Sequence, residues 1–131
     1  SPQSWSMPWL ASIRDFVPHL PPRPPTALVV NMGLWGQLSP AQLRLLRMSM
    51  EDITSCFWWK STTLRRGQSR PQDVDKEARA IFTENHVFDA AAVSSLASVE
   101  EYWDNLHFTP GVYNELNHQL LAVMARCARE F

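Results

Sequence analysis

Apolar residues along the chain form two kinds of pattern, short continuous runs and stripes at helical spacing. The runs "TALVVN" (Thr26–Asn31) and "SCFWWK" (Ser55–Lys60) lie between proline-rich or polar segments. Short apolar runs with such boundaries are typical of strands buried on both faces of a sheet. A third run, "HVFDAAAV" (His86–Val93), holds a single aspartate, and we predict a third strand there.

Four stretches place apolar residues three or four positions apart, which predicts amphipathic helices. The second begins at Ser39, a favourable N-cap residue, followed by Pro40, a favourable first helical residue. A five-proline segment, "VPHLPPRPP", must end the first helix. The predicted helices and their apolar faces are residues 8–17 (Trp9, Ile13, Phe16); 39–53 (Leu43, Leu46, Met50, Ile53); 74–85 (Val74, Ala78, Ile81, Phe82); and Pro110 to about Arg129 (Tyr113, Leu116, Leu120, Met124, Cys127).

The order of these elements predicts the fold class. Strands that alternate with helices form crossover units and a parallel sheet covered by helices, so we expect a single three-layer α/β domain of flavodoxin-like type over residues 1–131. Ligands of such sheets bind at the carboxyl ends of the strands. Three segments therefore qualify as parts of a site: "NMGLW", "KSTTLRR" and the region around residues 104–107.

Composition narrows the possible partners. The chain of 131 residues is 45% hydrophobic and 19% charged, with a net charge of −1, which favours a packed core and neither nucleic acid nor an anionic membrane as partner. No apolar run reaches the ~18 residues of a membrane span, and "SPQSWSMPWL" does not resemble a signal peptide. Because the chain lacks an initiator methionine, we expect it to be part of a longer protein.

Four residue types require an interpretation of their own: cysteine, tryptophan, histidine and arginine. We expect Cys56 and Cys127 to be buried free thiols, because two cysteines do not form a disulfide framework. The six tryptophans favour core positions over a carbohydrate surface. The histidines show no metal-ligand spacing, so we expect no metal and no cofactor. Arg65, Arg66 and Arg70 form a basic loop that is either solvated or able to hold an acidic sugar.

The segment "WDNLHFTPGVYNELNHQLL" carries the first candidate for chemistry. Asp104 precedes His107 by three residues, which allows the carboxylate to hold one ring nitrogen of a general base. The alternative is an acidic residue near a helix start beside an exposed histidine. A second candidate is Asn31 with Gly33, where an amide side chain and a backbone N–H at a strand end are able to stabilise an oxyanion. The alternative is an ordinary turn.

Together, "VVNMGLW", "FWWKSTT", "VFDAAAV" and "DNLHFTPGVYNELNHQLL" resemble the C-terminal half of SGNH (GDSL-like) hydrolases. Within that group, the chain looks most like the PC-esterase branch, which includes trichome-birefringence-like polysaccharide O-acetyltransferases. The resemblance covers roughly residues 26–125, and Asp-x-x-His is its most specific part. The matching residues are Asn31, Gly33 and Trp35; Lys60, Ser61, Thr62 and Thr63, with lysine where the family usually has arginine; and Asp104, His107, Gly111, Asn117 and Leu120.

The resemblance implies an acyl-ester hydrolase or O-acyltransferase acting on O-acetyl groups of a carbohydrate. His107 would be the general base and Asp104 its orienting carboxylate. Asn31 and Gly33 would form the oxyanion hole, while Trp35, Lys60 and Ser61 would lie near a small-molecule or polysaccharide ester. The family's nucleophile belongs to a Gly-Asp-Ser motif, which this sequence lacks. We therefore expect the serine upstream of residue 1, and the isolated chain to be inactive.

Family members are often secretory, in the Golgi lumen or outside the cell, and the resemblance implies the same here. The sequence does not determine the oligomeric state. Two alternatives remain at this stage. One is a non-catalytic interaction domain on the SGNH scaffold, and the other is an unrelated α/β domain whose matching residues are all turns.

Overall fold

In the computed structural model, residues 27–32 and 38–127 are described, and they form an α/β unit. The strands are β1 (Leu28–Val30), β2 (Phe57–Lys60) and β3 (Val87–Phe88). The helices are α1 (Pro40–Ile53), α2 (Asp73–Phe82), α3 (Ala90–Ser94) and α4 (Pro110–Met124), with 3-10 turns at Glu84–His86 and Val99–Glu101. The predicted helix at residues 8–17, and the site candidates Gly33 and Trp35, lie outside the described residues.

The described strands form one sheet in the order β1-β2-β3, and both pairings are parallel. Val30 pairs with Trp59, which pairs in turn with Val87. A helix connects each strand to the next, as parallel pairing requires. The predicted parallel α/β arrangement is therefore confirmed for this part of the chain.

The main core lies between the sheet and the two crossover helices. Phe57 and Trp59 point to the same face of β2, where they meet the apolar stripes of α1 and α2. Trp58 points to the opposite face and is also buried. The buried members of this cluster are Val30, Met32, Leu38, Leu43, Leu46, Met50, Phe57, Trp59, Val74, Ala78 and Phe82.

Both crossover helices have ends determined by specific contacts. The Ser39 hydroxyl accepts a hydrogen bond from the Gln42 backbone N–H, and the Gln42 side chain accepts one from the Ser39 N–H, so the predicted N-cap of α1 is confirmed. Arg47 on α1 donates to the carbonyl oxygens of Ile81 and Phe82, at 2.7 and 2.8 Å. A guanidinium at the last carbonyls of a helix satisfies free acceptors and complements the helix dipole.

The third strand is shorter than predicted. The apolar run His86–Val93 predicted one strand, but β3 ends at Phe88 and α3 begins at Ala90. Asp89 explains the change, because its Oδ1 accepts a hydrogen bond from the Ala92 N–H and caps the helix. Three successive alanines follow, and alanine has the highest helix propensity.

The last helix also differs from its prediction. It ends at Met124 instead of near Arg129, and Val112 is buried while Tyr113 is 38% exposed. The buried face therefore runs through Val112 and Leu116. Tyr113 has a local role instead, since its hydroxyl accepts a hydrogen bond from the Phe108 N–H at 3.1 Å.

The two cysteines form a disulfide, so the prediction of free thiols was wrong. Cys56 precedes β2 and Cys127 follows α4, with 5.3 Å between their Cα atoms. This distance lies within the usual range for disulfides. The bond closes a sequence separation of 71 residues and ties the end of α4 to the start of the central strand.

Among residues 27–32 and 38–127, no helix is both long enough and apolar enough to cross a membrane.

Candidate functional site

A short hairpin between the 3-10 turn and α4 carries Asp104 and His107. Tyr102 and Phe108 face each other as an antiparallel bridge, with their ring centroids 4.5 Å apart. Backbone hydrogen bonds of 2.8 Å flank this bridge, from Thr109 N–H to the Glu101 carbonyl and from Trp103 N–H to the His107 carbonyl. Phe108 is buried against α4 in a second core cluster, which anchors the hairpin and consists of Phe88, Ala90, Phe108, Val112 and Leu116.

Asp104 organises the tip of this hairpin. Its Oδ1 accepts backbone hydrogen bonds from Leu106 and His107, both at 2.7 Å. Its Oδ2 lies 2.9 Å from Nδ1 of His107. The carboxylate therefore orders the loop backbone and orients the imidazole at the same time. The prediction that Asp104 and His107 contact each other is confirmed by these distances.

The electrostatics of the pair favour an ionised carboxylate. The Leu106 N–H, the His107 side chain and the His107 N–H all stabilise the anion and lower the pKa of Asp104 to about 2. An ionised partner at Nδ1 favours the tautomer in which that nitrogen carries the proton. Nε2 is then left as an acceptor, and the His107 side chain is 65% exposed. The arrangement suits a general base.

Asn31 follows β1 and links it to the end of β2. Its Nδ2 donates to the Lys60 carbonyl oxygen at 2.8 Å and lies 3.5 Å from Oγ1 of Thr62. This places Asn31 at the carboxyl end of the sheet, as predicted from its strand-end position. Among the described residues, no hydrogen bond joins Asn31 to Asp104 or His107.

Lys60 and Ser61 lie at the end of β2. The Lys60 side chain is partly buried, which lowers the pKa of its amine. Ser61 is only 3% exposed. Its hydroxyl donates to Oδ1 of Asp89 at 3.0 Å and accepts from the Ala91 N–H at 3.0 Å. Ser61 thus belongs to the scaffold that joins β2 to α3, and its oxygen is not presented to solvent.

Asp89 connects this scaffold to α2. Its Oδ2 accepts a 2.6 Å hydrogen bond from Arg79, and its Oδ1 binds Ser61 and the Ala92 N–H. Partial burial raises the pKa of Asp89, but the hydrogen bonds from Arg79, Ala92 and Ser61 outweigh it, and the net shift is downward. Asp89 therefore caps α3 and joins it to the end of β2 and to α2.

Asp75, which the sequence pattern did not single out, is buried in the first turn of α2. Its two oxygens accept hydrogen bonds from the Trp59 indole and from the Thr62 N–H. The sequence did contain a signal, because Asp75 directly follows Val74 on the buried face of the predicted helix. Acidic residues are common in the first turn of a helix, where they interact favourably with the helix dipole, so the position alone did not indicate a buried role. The structure gives it a more specific role, because it fixes the chain where β2 ends.

The hairpin reaches the same end of the sheet through the segment after β2. The Arg66 N–H donates to the Asn105 carbonyl at 3.0 Å, and the Tyr102 hydroxyl donates to the Leu64 carbonyl at 3.2 Å. Leu64 is itself held through its N–H by Ser94. The Asp104–His107 pair is therefore positioned by the loop that continues from β2, although no hydrogen bond joins either residue to β2 in the described part of the chain.

Two cavities adjoin this region. One of about 300 Å³ is lined by Leu64, Arg66 and Tyr102 among others, and one of about 210 Å³ lies between Val93 and Val112. Neither is lined by Asp104 or His107, which lie on the open face of the hairpin. Within the described part of the chain, no group of three or more His, Cys, Asp and Glu residues is arranged to hold a metal ion.

Comparison with protein-family models, with curated proteins and with solved structures gives no match for this chain. The resemblance to SGNH hydrolases therefore depends on the motif residues of the sequence alone.

Proposed function

We propose that this chain forms the C-terminal, acid–base part of an SGNH-type hydrolase domain, closest to the PC-esterase branch. Its substrate would be an acyl ester, specifically an O-acetyl group on a carbohydrate. The observation that carries the proposal is the 2.9 Å contact between Oδ2 of Asp104 and Nδ1 of His107, with the other ring nitrogen on the exposed side.

In the proposed reaction, Nε2 of His107 takes the proton of a serine hydroxyl as the serine oxygen attacks the ester carbonyl carbon. Asp104 stays ionised and stabilises the imidazolium that forms. His107 then gives the proton to the oxygen of the leaving alcohol, and an acyl-serine remains. Water attacks this acyl-enzyme in an esterase, and a second hydroxyl group attacks it in a transferase.

The other proposed parts come from the resemblance. The Asn31 side chain and the Gly33 amide are the proposed oxyanion donors, and the serine would come from a segment upstream of Ser1. Nδ2 of Asn31 donates to the Lys60 carbonyl at 2.8 Å and to Oγ1 of Thr62 at 3.5 Å, so an oxyanion would replace the longer of these two bonds. By resemblance, Trp35 and Lys60 are the proposed residues on the substrate side. Ser61 is not among them, because its hydroxyl is buried and bound to Asp89 and Ala91.

Two further observations support this proposal. Asn31 directly follows β1, and the hairpin that carries the pair is hydrogen-bonded to the segment that follows β2, which agrees with a ligand site at the carboxyl end of a parallel sheet. The Cys56–Cys127 disulfide is typical of proteins that fold in an oxidising compartment, in agreement with a secretory or Golgi-lumenal location.

A second candidate is a non-catalytic interaction domain that keeps the SGNH scaffold. The openness of the site favours it: Asp104 and His107 lie on an exposed hairpin, and Ser61 at the end of β2 is buried and bound to Asp89. In this case the Asp104–His107 contact would only order the loop.

Acetyl-release kinetics on the full-length protein distinguish the two. We expect turnover of p-nitrophenyl acetate and acetylated xylan by the wild type, and loss of turnover in a folded His107→Ala variant. His118→Ala is the matched control, because His118 is an exposed histidine on α4. Wild-type rates in folded His107→Ala, or no turnover by the wild type, would favour the interaction domain.

A further inference from the structure

Trp103 differs from the other tryptophans of the described chain. Its side chain is 76% exposed, whereas Trp58 and Trp59 are 5% and 0% exposed. A single exposed apolar residue is common on protein surfaces and by itself indicates nothing. What matters here is its position relative to His107.

The hairpin register puts Trp103 beside His107. Because Tyr102 faces Phe108 across the bridge, the next pair outward in the loop is Trp103 with His107, joined by the 2.8 Å bond from the Trp103 N–H. Side chains of opposed residues in an antiparallel pair lie on the same face, with Cβ atoms about 4.5–5.5 Å apart. Since Tyr102 and Phe108 take the inner face, the pairing predicts that the side chains of Trp103 and His107 lie on the outer one.

The loop that carries both residues is internally ordered. Asp104 holds the backbone of Leu106 and His107, and Arg66 holds Asn105. An indole on such a loop presents its face without a large further ordering cost on binding.

The proposed reaction decides which part of a substrate would meet this indole. His107 must deliver a proton to the leaving oxygen, so the alcohol portion of the ester lies on the His107 side, while the carbonyl oxygen points to the oxyanion donors. Trp103 is therefore positioned for the alcohol portion. The exposed apolar surface of this loop consists of the Trp103 indole and the 40% exposed Leu106, and the exposed polar residues Asp104, Asn105 and His107 lie beside them. This combination suits a sugar ring, which has an apolar C–H face and a polar rim.

We propose that Trp103 is the binding platform for the sugar ring that carries the ester, with the indole packed against the C–H face of that ring. This inference rests on the proposed function for the orientation of the ester. It makes Trp103 a specificity-determining residue with no part in proton transfer.

Kinetics on the full-length protein test this role. For an acetylated xylo-oligosaccharide, we expect Trp103→Ala to raise KM about tenfold with kcat little changed, and Trp103→Phe to keep most of the affinity. For ethyl acetate, which has no ring, neither variant should differ from wild type. Leu45→Ala is the control, because Leu45 is a 56% exposed apolar residue on α1. An unchanged KM for the oligosaccharide in Trp103→Ala would overturn the inference and leave the esterase function standing.

Binding of a ligand that carries no ester tests the Trp103 platform independently of the proposed esterase function. Calorimetry with an unacetylated xylo-oligosaccharide should show affinity in the wild type and its loss in Trp103→Ala. If the protein has no esterase activity but this Trp103-dependent binding occurs, the proposed function fails and the sugar platform stands. If the protein has no esterase activity and its binding of the oligosaccharide does not depend on Trp103, the platform is overturned as well.

Discussion

The indole nitrogen of Trp59 donates a 2.9 Å hydrogen bond to Oδ1 of Asp75, and both side chains are buried. The second carboxylate oxygen accepts a 3.0 Å bond from the Thr62 N–H. One aspartate therefore connects the first turn of α2 with the middle of β2 and with the backbone just beyond its end. The segment after β2 also contacts the Asp104 hairpin, so the buried Asp75 helps to position the candidate site through this segment.

Replacing Asp75 with alanine should lower the free energy of unfolding by about 3 kcal/mol, because two buried donors lose a charged acceptor. Urea unfolding followed by tryptophan fluorescence measures this change. Asp73→Ala is the matched control, since Asp73 lies in the same helical turn but its side chain is 82% exposed. Equal effects of the two substitutions would contradict the role assigned to the Asp75 hydrogen bonds.

Reduction of the Cys56–Cys127 bond should destabilise the fold. A cross-link that closes a separation of 71 residues restricts the unfolded chain, and chain-entropy arguments predict a loss of about 4 kcal/mol without it. Urea unfolding with and without dithiothreitol measures the difference. The Cys56→Ala/Cys127→Ala variant should show the lower stability under both conditions, because the chain has only these two cysteines. A wild type whose stability is insensitive to reductant would contradict the prediction.

Local signals in the sequence predicted much of this fold. Ser39 with Pro40 predicted where α1 begins, and the spacing of Val74, Ala78 and Phe82 predicted the buried face of α2. The apolar runs located β1 and β2 to within a few residues. These elements depend on helix capping and on hydrophobic periodicity, which act between residues close together in the chain.

The errors have a different physical origin. The disulfide joins residues that only the fold brings together, and Asp75 finds Trp59 across a helix–strand contact. In the apolar run His86–Val93, which predicted a single strand, the N-cap at Asp89 and the following alanines favour a helix instead. For the candidate site, Asp-x-x-His predicted the contact of Asp104 with His107, but a spacing carries no information about the exposure of the pair or the placement of Trp103 beside it.

Ser61 should behave as a structural residue and not as a nucleophile. Its buried hydroxyl donates to Asp89 and accepts from the Ala91 N–H. Ser61→Ala should lower the free energy of unfolding by about 1–2 kcal/mol, because both partners lose a hydrogen bond. It should leave acetyl-ester turnover by the full-length protein within a few-fold of wild type. Ser95→Ala, on the exposed side of the same region, is the control. A complete loss of turnover in a folded Ser61→Ala variant would show that Ser61 takes part in the chemistry.

Asp104 should control both the order of the hairpin and the activity of His107. Replacing it with asparagine keeps an oxygen acceptor for the Leu106 and His107 N–H groups but removes the negative charge. If the pair works as in a serine triad, the full-length variant should lose about 10⁴ in kcat with an intact fold. We expect acetyl release to fall by this factor while the circular dichroism spectrum stays close to that of the wild type. A loss smaller than about tenfold would mean that His107 does not depend on the carboxylate.

The pKa of Asp104 gives a test that requires no turnover. Its folded value, about 2, lies below the ordinary value of 3.8, because the Leu106 N–H, the His107 side chain and the His107 N–H stabilise the anion. The stabilisation of the hairpin is therefore fully present above pH about 4 and is lost as the pH falls through about 2. In an NMR titration, the Asp104 carboxyl carbon and the amide protons of Leu106 and His107 should shift together with a midpoint near 2. Asp104→Asn should abolish this transition, whereas a wild-type midpoint near 4 would show that the hydrogen bonds do not hold the carboxylate in solution.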